Sequence, residues 1–168
     1  MRAMLPAPTA RLVFRTWQDD DLPFALHLFG DPVITGLVGG PFDDARVRAR
    51  LAAEMATERT HGIQYWPIAT HAGALVGCCG LRPYSAGMHE LGFYLVREVW
   101  GQGLAVEAAR SVIAATFADP ATVGVFAGHH PDNTASKRAL EKLGFRYVRH
   151  ELYEPTNEMH PCYELRRS

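Results

Sequence analysis

The segment from Trp100 to Ala105 has the residue types of a phosphate-binding loop. Gly101 and Gly103 stand directly before a run with helical spacing that starts at Leu104. Glycine adopts positive φ without penalty and lets a ligand approach the main chain. The first N–H groups of a helix have no internal partner, and the helix dipole adds partial positive charge there. The segment therefore predicts an anion site formed by consecutive residues, Trp100, Gly101, Gln102, Gly103, Leu104 and Ala105.

Two common nucleotide-binding motifs do not fit this segment. A Walker A loop needs Gly-Lys-Ser/Thr at the start of the helix, and none is present. A dinucleotide fingerprint needs a third glycine or alanine, where Val106 stands, and an acidic residue at the end of the next strand. The next strand-like run, 122–127, ends without Asp or Glu. The pattern therefore argues against ATP and NAD as ligands.

A second segment, from Asn133 to Phe145, has the pattern of a capped helix. Asn133 is a favourable N-cap, and Gly144 is a plausible left-handed stop. Ala139 and Leu143 recur at helical spacing between them. Taken alone, this segment predicts only an amphipathic helix.

In this order, with a strand between them, the two segments resemble the two signature motifs of the GNAT N-acetyltransferases. The first resembles the loop that binds the acyl-CoA pyrophosphate, with Trp100 where Arg or Gln is commonest. Trp followed by Gly-x-Gly-x-Ala is typical of the branch that resembles the RimJ/RimL ribosomal-protein acetyltransferases. The second resembles Asn-x-x-Ser followed by a helix that ends in Glu-Lys-Leu-Gly-Phe. Matches to this branch extend over nearly the whole chain, from Thr9 to Leu165.

The resemblance implies one GNAT domain over residues 1–168, with an α/β (α+β) fold. Its mixed, mostly antiparallel sheet would splay after the strand that carries Glu90. It also implies acetyl-CoA as co-substrate, direct transfer to a primary amine of a protein N-terminus or a small molecule, and a homodimer. The implied cofactor contacts are the main chain of one strand and side chains or backbone of two loops: Tyr94, Leu95, Val96, the segment Trp100 to Ala105, Asn133 and Ser136.

Two residues are candidates for catalysis. The acceptor amine must be neutral to attack a thioester, and Glu90 stands where some family members carry a general-base Glu. Burial that raises its pKa would suit this role. A solvated or cross-strand-paired Glu at the beginning of a strand explains Glu90 equally well. Many family members protonate the thiolate with a Tyr at the position where this chain has Leu140. Ser136 matches the Ser that is given this role in the RimJ/RimL-like branch. For Ser136 we favour a contact with the cofactor.

The resemblance also directs attention to two further groups. His129 and His130, before Asn133, could assist proton transfer, although adjacent loop histidines are usually exposed. Without a third ligand nearby in sequence they do not predict a metal site, and the expected cofactor set contains no metal. If the first two helices form the acceptor groove, the candidate substrate contacts are Phe29, Thr35, Phe42 and Tyr84.

Composition limits the class of protein. The chain has 168 residues, 48% hydrophobic and 21% charged content, and a net charge of -1. These values fit one globular domain and give no basic field for nucleic acid. No apolar run approaches the roughly 20 residues of a membrane span. Its 3 cysteines form neither a disulfide framework nor a metal pattern, which favours the cytoplasm.

The elements that must position these groups follow from periodicity and turn residues. We expect Asp20 or Asp21 to cap the first helix. The pattern predicts helices at 22–29, 43–60, from 104 and from 133, and strands at 11–15, 64–70, 74–81, 89–96, 122–127, 145–152 and 158–166.

Two other classes of protein remain open. The missing Tyr allows a non-catalytic acyl-CoA sensor, in which replacing Glu90 by Gln would change nothing. A nucleotide-binding interaction module would show stronger stabilisation by ATP or NAD than by CoA.

Overall fold

A seven-stranded sheet in the order β1-β2-β3-β4-β5-β7-β6 forms the centre of the computed structural model, which describes residues 4–168. The strands are β1 Leu12–Phe14, β2 Tyr65–Thr70, β3 Leu75–Ser85, β4 Met88–Leu95, β5 Gly124–Gly128, β6 Arg146–Tyr153 and β7 Glu158–Arg166. The helices are α1 Leu22–Phe29, α2 Pro32–Thr35, α3 Asp44–His61, α4 Leu104–Phe117 and α5 Thr134–Lys142. Among these strands only β4 and β5 pair in parallel, so the predicted mixed, mostly antiparallel sheet is confirmed.

The sheet opens between β4 and β5. These strands pair only from Met88 and Gly124 to Glu90 and Phe126. Beyond that point β4 continues along β3, whereas β5 continues along β7 to Gly128. The predicted splay in the strand of Glu90 is therefore confirmed, and Glu90 lies at the apex of the wedge between the two strands.

Helices cover both faces of the sheet. Alternate residues of a strand point to opposite faces, so Glu90, Gly92 and Tyr94 share one face. Tyr94 contacts Phe29 of α1 edge to face, with ring centroids 5.6 Å apart, and lies 5.7 Å from the Arg50 guanidinium of α3. We name this side the α1/α3 face. The opposite side, the α4 face, packs against α4.

Helix α3 is fixed to β2 by one buried carboxylate. Asp43 caps the helix, since its side chain accepts a hydrogen bond from the Arg46 N–H at 2.8 Å. About three turns further on, Glu54 is 4% exposed. It accepts hydrogen bonds from Arg50 Nε and the Tyr65 N–H, each at 2.8 Å. These hydrogen bonds fix the position of α3 relative to β2.

Some boundaries differ from the sequence prediction. Strand β3 runs to Ser85 instead of residue 81, because Pro83 lies where β3 has no partner on the β2 side and its missing N–H costs no ladder bond. The extension places Arg82 directly opposite Glu90. Asp21 precedes α1 as predicted, but its side chain makes no cap hydrogen bond. Its carboxylate instead binds the Arg15 guanidinium at 2.6 and 2.7 Å.

The interior of the molecule contains buried aromatic side chains and free thiols. Trp17 and Trp66 are 3% and 1% exposed, and both belong to the main core. Cys78, Cys79 and Cys162 are buried free thiols. None of the helices formed by residues 4–168 is long and apolar enough to cross a membrane.

Candidate active site

The loop before α4 presents a row of unpaired backbone donors. Gly101 and Gly103 both have φ of +77°, and Gly103 is the N-cap without a side chain to cap the helix. Among residues 4–168, none of the N–H groups from Gly101 to Val106 has a hydrogen-bond partner. Together with the helix dipole, these donors form a site suited to an anion.

Side chains hold this loop from both sides. The Trp100 indole, which is 48% exposed, donates from Nε1 to the Leu95 carbonyl at 2.9 Å. On the other side, Arg11 donates to the Gln102 carbonyl at 2.9 Å and forms an ion pair with Glu107 at 2.9 Å. The sequence predicted Trp100 as part of the loop but gave no sign of the Arg11 contact, which joins the segment before β1 to α4.

The register of β4 defines which main-chain groups face the wedge. The Val96 N–H donates to the Val76 carbonyl of β3 at 2.9 Å, so it points away from the wedge and is not free to bind a ligand there. Hydrogen-bonded pairs alternate along an antiparallel ladder, which also turns the main chain of Tyr94 toward β3. The main chain of Leu95 faces the wedge, where its carbonyl accepts from Trp100. A cofactor contact at these residues stays a prediction, and the Leu95 N–H is the donor best placed for it.

The start of α5 lies on the other side of the wedge, after β5. The Asn133 side chain accepts a hydrogen bond from the Ser136 N–H at 3.0 Å, so the predicted N-cap is confirmed. The Ser136 hydroxyl is half-buried and has no partner within residues 4–168. Leu140 is 2% exposed in the core and offers no proton. The roles of Asn133 and Ser136 toward a cofactor stay predictions.

Glu90 has the environment of a carboxylate that can exchange a proton. Burial raises the pKa of its side chain above the ordinary value, against the opposing charge of Arg82 on β3. The carboxylate of Glu151 on β6 raises this pKa further. No ion pair within residues 4–168 involves Glu90. The Glu90 carboxylate is therefore half-buried and forms no structural salt bridge. This favours the interpretation of Glu90 as a catalytic residue over that of a Glu paired across the strands.

Residues of β3 and of the β6–β7 hairpin lie near Glu90 on the α1/α3 face. Burial raises the pKa of Tyr153 at the end of β6, and Glu90 is among the charges acting on it. The β6–β7 hairpin reaches the loop before α3, where a Cβ on Gly39 would lie 2.8 Å from Pro155 Cβ. Tyr84 lines the same face, stacked on Phe126 with centroids 4.0 Å apart.

Three of the suggested acceptor contacts are wrong. Phe29, Thr35 and Phe42 are 1%, 0% and 9% exposed, so they belong to the packing between α1, α2 and the sheet. The Thr35 hydroxyl donates to main-chain carbonyls, that of Asp31 at 3.0 Å among them. Tyr84 alone of the four is partly exposed near Glu90, because it is part of the extended β3.

The expectation that His129 and His130 are exposed is also wrong, since they are 6% and 7% exposed. His129 donates from Nδ1 to the His130 carbonyl at 2.7 Å, and its Nε2 lies 3.2 Å from the Tyr163 hydroxyl. Burial lowers the pKa of His129, so this ring is neutral at neutral pH. Its hydrogen bonds fix the β5–α5 loop.

His130 belongs to a cluster that the sequence argument missed. Ligand atoms of His130, Glu158 and His160 lie within 4.8 Å of one another, because the hairpin returns β7 to the end of β5. A metal on Nε2 of His130 would require the proton on Nδ1. That atom, however, accepts the Asp132 N–H at 3.0 Å, and Nε2 pairs with Glu158. The hydrogen bonds therefore favour a structural link between loop and hairpin over a metal site.

Comparisons with known proteins agree with this geometry. The model of the acetyltransferase (GNAT) domain family matches residues 11–146. An uncharacterized Bacillus subtilis protein, YkkB, is 30% identical over 153 residues, which cover 88% of each chain. The chain belongs to the GNAT acetyltransferase family, and this membership makes it an N-acetyltransferase.

Solved structures share the fold at low sequence identity. The acetyltransferase from Agrobacterium tumefaciens superposes with a TM-score of 0.85 at 21% identity, over 99% of this chain and 97% of that chain. RimL, a ribosomal alpha-N-protein acetyltransferase solved in complex with coenzyme A, gives a TM-score of 0.83 at 12% identity, over 96% of this chain and 97% of that one.

Proposed function

We propose that this protein transfers the acetyl group of acetyl-CoA directly to a primary amine within a ternary complex, as a member of the RimJ/RimL-like branch. The observation that carries the proposal is the arrangement of the wedge. Unpaired N–H groups from Gly101 to Val106 lie where β4 leads into α4, and a half-buried, unpaired Glu90 lies at the apex. The likeness to RimL, which was solved with coenzyme A, supports the same ligand.

Each step of the transfer has a candidate group. Glu90 accepts a proton from the acceptor ammonium, directly or through a water, to give the neutral amine. The amine nitrogen bonds to the acetyl carbon, and a main-chain N–H at Leu95 stabilises the oxyanion. The C–S bond then breaks, the second nitrogen proton protonates the thiolate, and Ser136 holds the pantetheine arm near the sulfur.

Replacing Glu90 by Gln separates this enzyme from an acyl-CoA sensor. The substitution keeps size and hydrogen-bonding capacity but removes the proton acceptor. We expect kcat to fall about 100-fold or more, in the range of general base catalysis, with an unchanged Kd for acetyl-CoA. Free CoA release reports the rate, and calorimetric titration reports the Kd. Glu58→Gln, at a half-buried residue of α3 whose side chain makes no hydrogen bond or ion pair within residues 4–168, is the matched control and should leave both values unchanged.

An unaltered kcat in Glu90→Gln would remove Glu90 from the mechanism. Absence of acetyl transfer by the wild-type protein to any amine, with acetyl-CoA still bound, would favour the sensor.

The cellular setting is part of the same proposal. A cytoplasmic location fits the reduced cysteines Cys78, Cys79 and Cys162 and the supply of acetyl-CoA. A homodimer follows from the family resemblance, and light scattering at micromolar concentration measures it.

A further inference from the structure

Two arginines beside Glu90 have hydrogen-bond donors that the fold does not use. The Arg50 side chain is 13% exposed, and its Nη2 is a buried donor without a partner. The Arg82 side chain is 43% exposed, and its guanidinium makes no hydrogen bond within residues 4–168. Its nearest carboxylate oxygen is Glu54 Oε1, at 3.6 Å.

The single carboxylate between these arginines cannot satisfy both. Oε1 of Glu54 accepts from Arg50 Nε at 2.8 Å, and Oε2 accepts the Tyr65 N–H at 2.8 Å. Two guanidinium groups therefore share one carboxylate, and neither Arg82 nor Nη2 of Arg50 has a hydrogen-bond partner within residues 4–168. Buried or half-buried charges are normally paired, so an unpaired donor here points to an anionic group supplied by a ligand.

The unused donors lie close to the apex of the wedge. The Arg50 and Arg82 guanidinium carbons lie 5.1 and 4.7 Å from the centre of the Tyr65 ring. The Tyr65 hydroxyl reaches β4, where it occupies the space that a Cβ on Gly92 would need. Arg82 is also the direct cross-strand neighbour of Glu90. Such neighbours have Cβ atoms about 5 Å apart, so one small molecule can contact both side chains.

From this arrangement we infer that the acceptor is a free α-amino acid, whose carboxylate binds Arg82 and Arg50 while its amine lies at Glu90. The inference rests on the proposed acetyl transfer. A guanidinium recognises a carboxylate through paired charge-assisted hydrogen bonds. In an α-amino acid the carboxylate is attached one carbon from the amine, which suits the adjacent positions of Arg82 and Glu90. A peptide N-terminus carries a neutral amide there, whose carbonyl can accept one hydrogen bond but brings no negative charge to the Arg82 guanidinium.

The test compares each amino acid with its own amide. Purified protein with acetyl-CoA is assayed on the twenty common L-amino acids and on the corresponding amino acid amides. We expect the wild-type protein to acetylate at least one free amino acid with a higher kcat/KM than its amide. In Arg82→Gln that preference should fall about 10- to 100-fold through a higher KM for the acid, while kcat/KM for the amide stays within about twofold.

Two further variants separate recognition from structure. Arg50→Lys keeps the charge beside Glu54 but removes Nη2, and it should also raise KM for the acid more than for the amide. Arg48→Gln removes an exposed arginine of the same helix and should change neither value. Thermal unfolding of each variant shows that the fold is retained.

Equal losses for acid and amide in Arg82→Gln would overturn the inference, because Arg82 would then act only on Glu90. Acetylation of amines or peptides, but of none of the twenty amino acids, would also overturn it and leave the proposed function standing. A protein that neither binds acetyl-CoA nor acetylates any acceptor would instead refute the proposed function.

Discussion

Glu90 combines a charge with an environment that disfavours the charge. Burial raises its pKa, and Arg82 opposes the shift without forming an ion pair with it. A carboxyl whose pKa is raised in the folded state contributes stability that is present at low pH and lost as pH rises through that pKa. The ionised Glu90 therefore costs stability at neutral pH, which is typical of a group retained for function.

We accordingly expect Glu90→Gln to be at least as stable as the wild-type protein at pH 7. At pH 4, where protonated Glu90 stabilises the wild-type protein, the free energy of unfolding of the variant should be lower relative to that of the wild type. Urea unfolding at the two pH values measures the difference. A variant that is less stable at pH 7 would show that Glu90 serves the structure.

The same shift predicts the pH dependence of catalysis. A general base works only when ionised, so kcat/KM should rise with pH through the pKa of Glu90, above the ordinary value of about 4.3. The acidic limb of the profile should disappear in Glu90→Gln. An acidic limb that persists in the variant would assign it to another group.

Asn133 and Ser136 are separable by their contacts. The Asn133 side chain caps α5, so Asn133→Ala should lower the free energy of unfolding by about 1 kcal/mol. The Ser136 hydroxyl is unpaired within residues 4–168, so Ser136→Ala should leave stability unchanged and raise KM for acetyl-CoA. A large fall in kcat without a change in KM would instead make Ser136 the proton donor.

Single residues differed in how well the sequence identified them. Asn133 was predictable as a cap because the interaction is local. Arg50 and Arg82 were missed because their significance depends on a carboxylate and a ring that other elements supply. His130 was misjudged for the same reason, since Glu158 reaches it through the hairpin.

At the scale of elements, the loop before α4 depends on two residues with positive φ. Gly101→Ala and Gly103→Ala force Cβ atoms into the left-handed region, at about 1 kcal/mol each, and distort the N–H row. We expect each to weaken acetyl-CoA binding at least tenfold by calorimetry. Gly73→Ala, in the β2–β3 turn with φ of +94° and open space around it, is the matched control. Similar loss of affinity in the control would show that general destabilisation, not the loop, is responsible.

Helix α3 supplies the second test at this scale. Removing one partner of a buried ion pair leaves an uncompensated charge, so Glu54→Ala should lower the free energy of unfolding by about 3 to 5 kcal/mol. Urea unfolding measures it, and Glu58→Ala on the same helix should change it by less than about 0.5 kcal/mol. A decrease well below this range in Glu54→Ala would mean that water replaces Glu54 as the hydrogen-bond partner of Arg50.

Elements were more predictable than contacts. The starts of α4 and α5 could be predicted from Gly103 and Asn133, because each of these residues affects only the first turn of its own helix. The end of β3 was placed too early, because it depends on pairing with β4 and not on its own residues. That extension places Arg82 opposite Glu90 and Tyr84 on the same face of the sheet, so the surroundings of Glu90 could not be derived from periodicity.

At the scale of the molecule, carboxylates with lowered pKa values form both local and long-range links in the chain. Burial alone would raise the pKa of Asp21, but the Arg15 guanidinium and the Gln18 N–H hold it below its ordinary value. Thr9 and Arg11 likewise outweigh burial and hold the pKa of Glu107 on α4 below its ordinary value. Stability from such groups is present above the unfolded pKa of about 4 and is lost as pH falls through the folded value.

Urea unfolding between pH 6 and pH 2 should therefore show most of the loss below about pH 4. Asp21→Asn should be less stable than the wild-type protein at pH 6 and converge with it at pH 2. If the free energies of unfolding of the two proteins changed in parallel with pH, the Arg15–Asp21 pair would not be a cause of the acid-induced loss of stability.

The wedge, the N–H row and Glu90 together make acetyl-CoA binding the central claim. Thermal unfolding with acetyl-CoA, CoA, ATP or NAD at equal concentration tests it directly. A ligand at 100 times its Kd stabilises a fold by about 2.7 kcal/mol, enough to raise Tm by several degrees. We predict a rise with acetyl-CoA and CoA and none with ATP or NAD. No rise with either CoA compound would contradict the account.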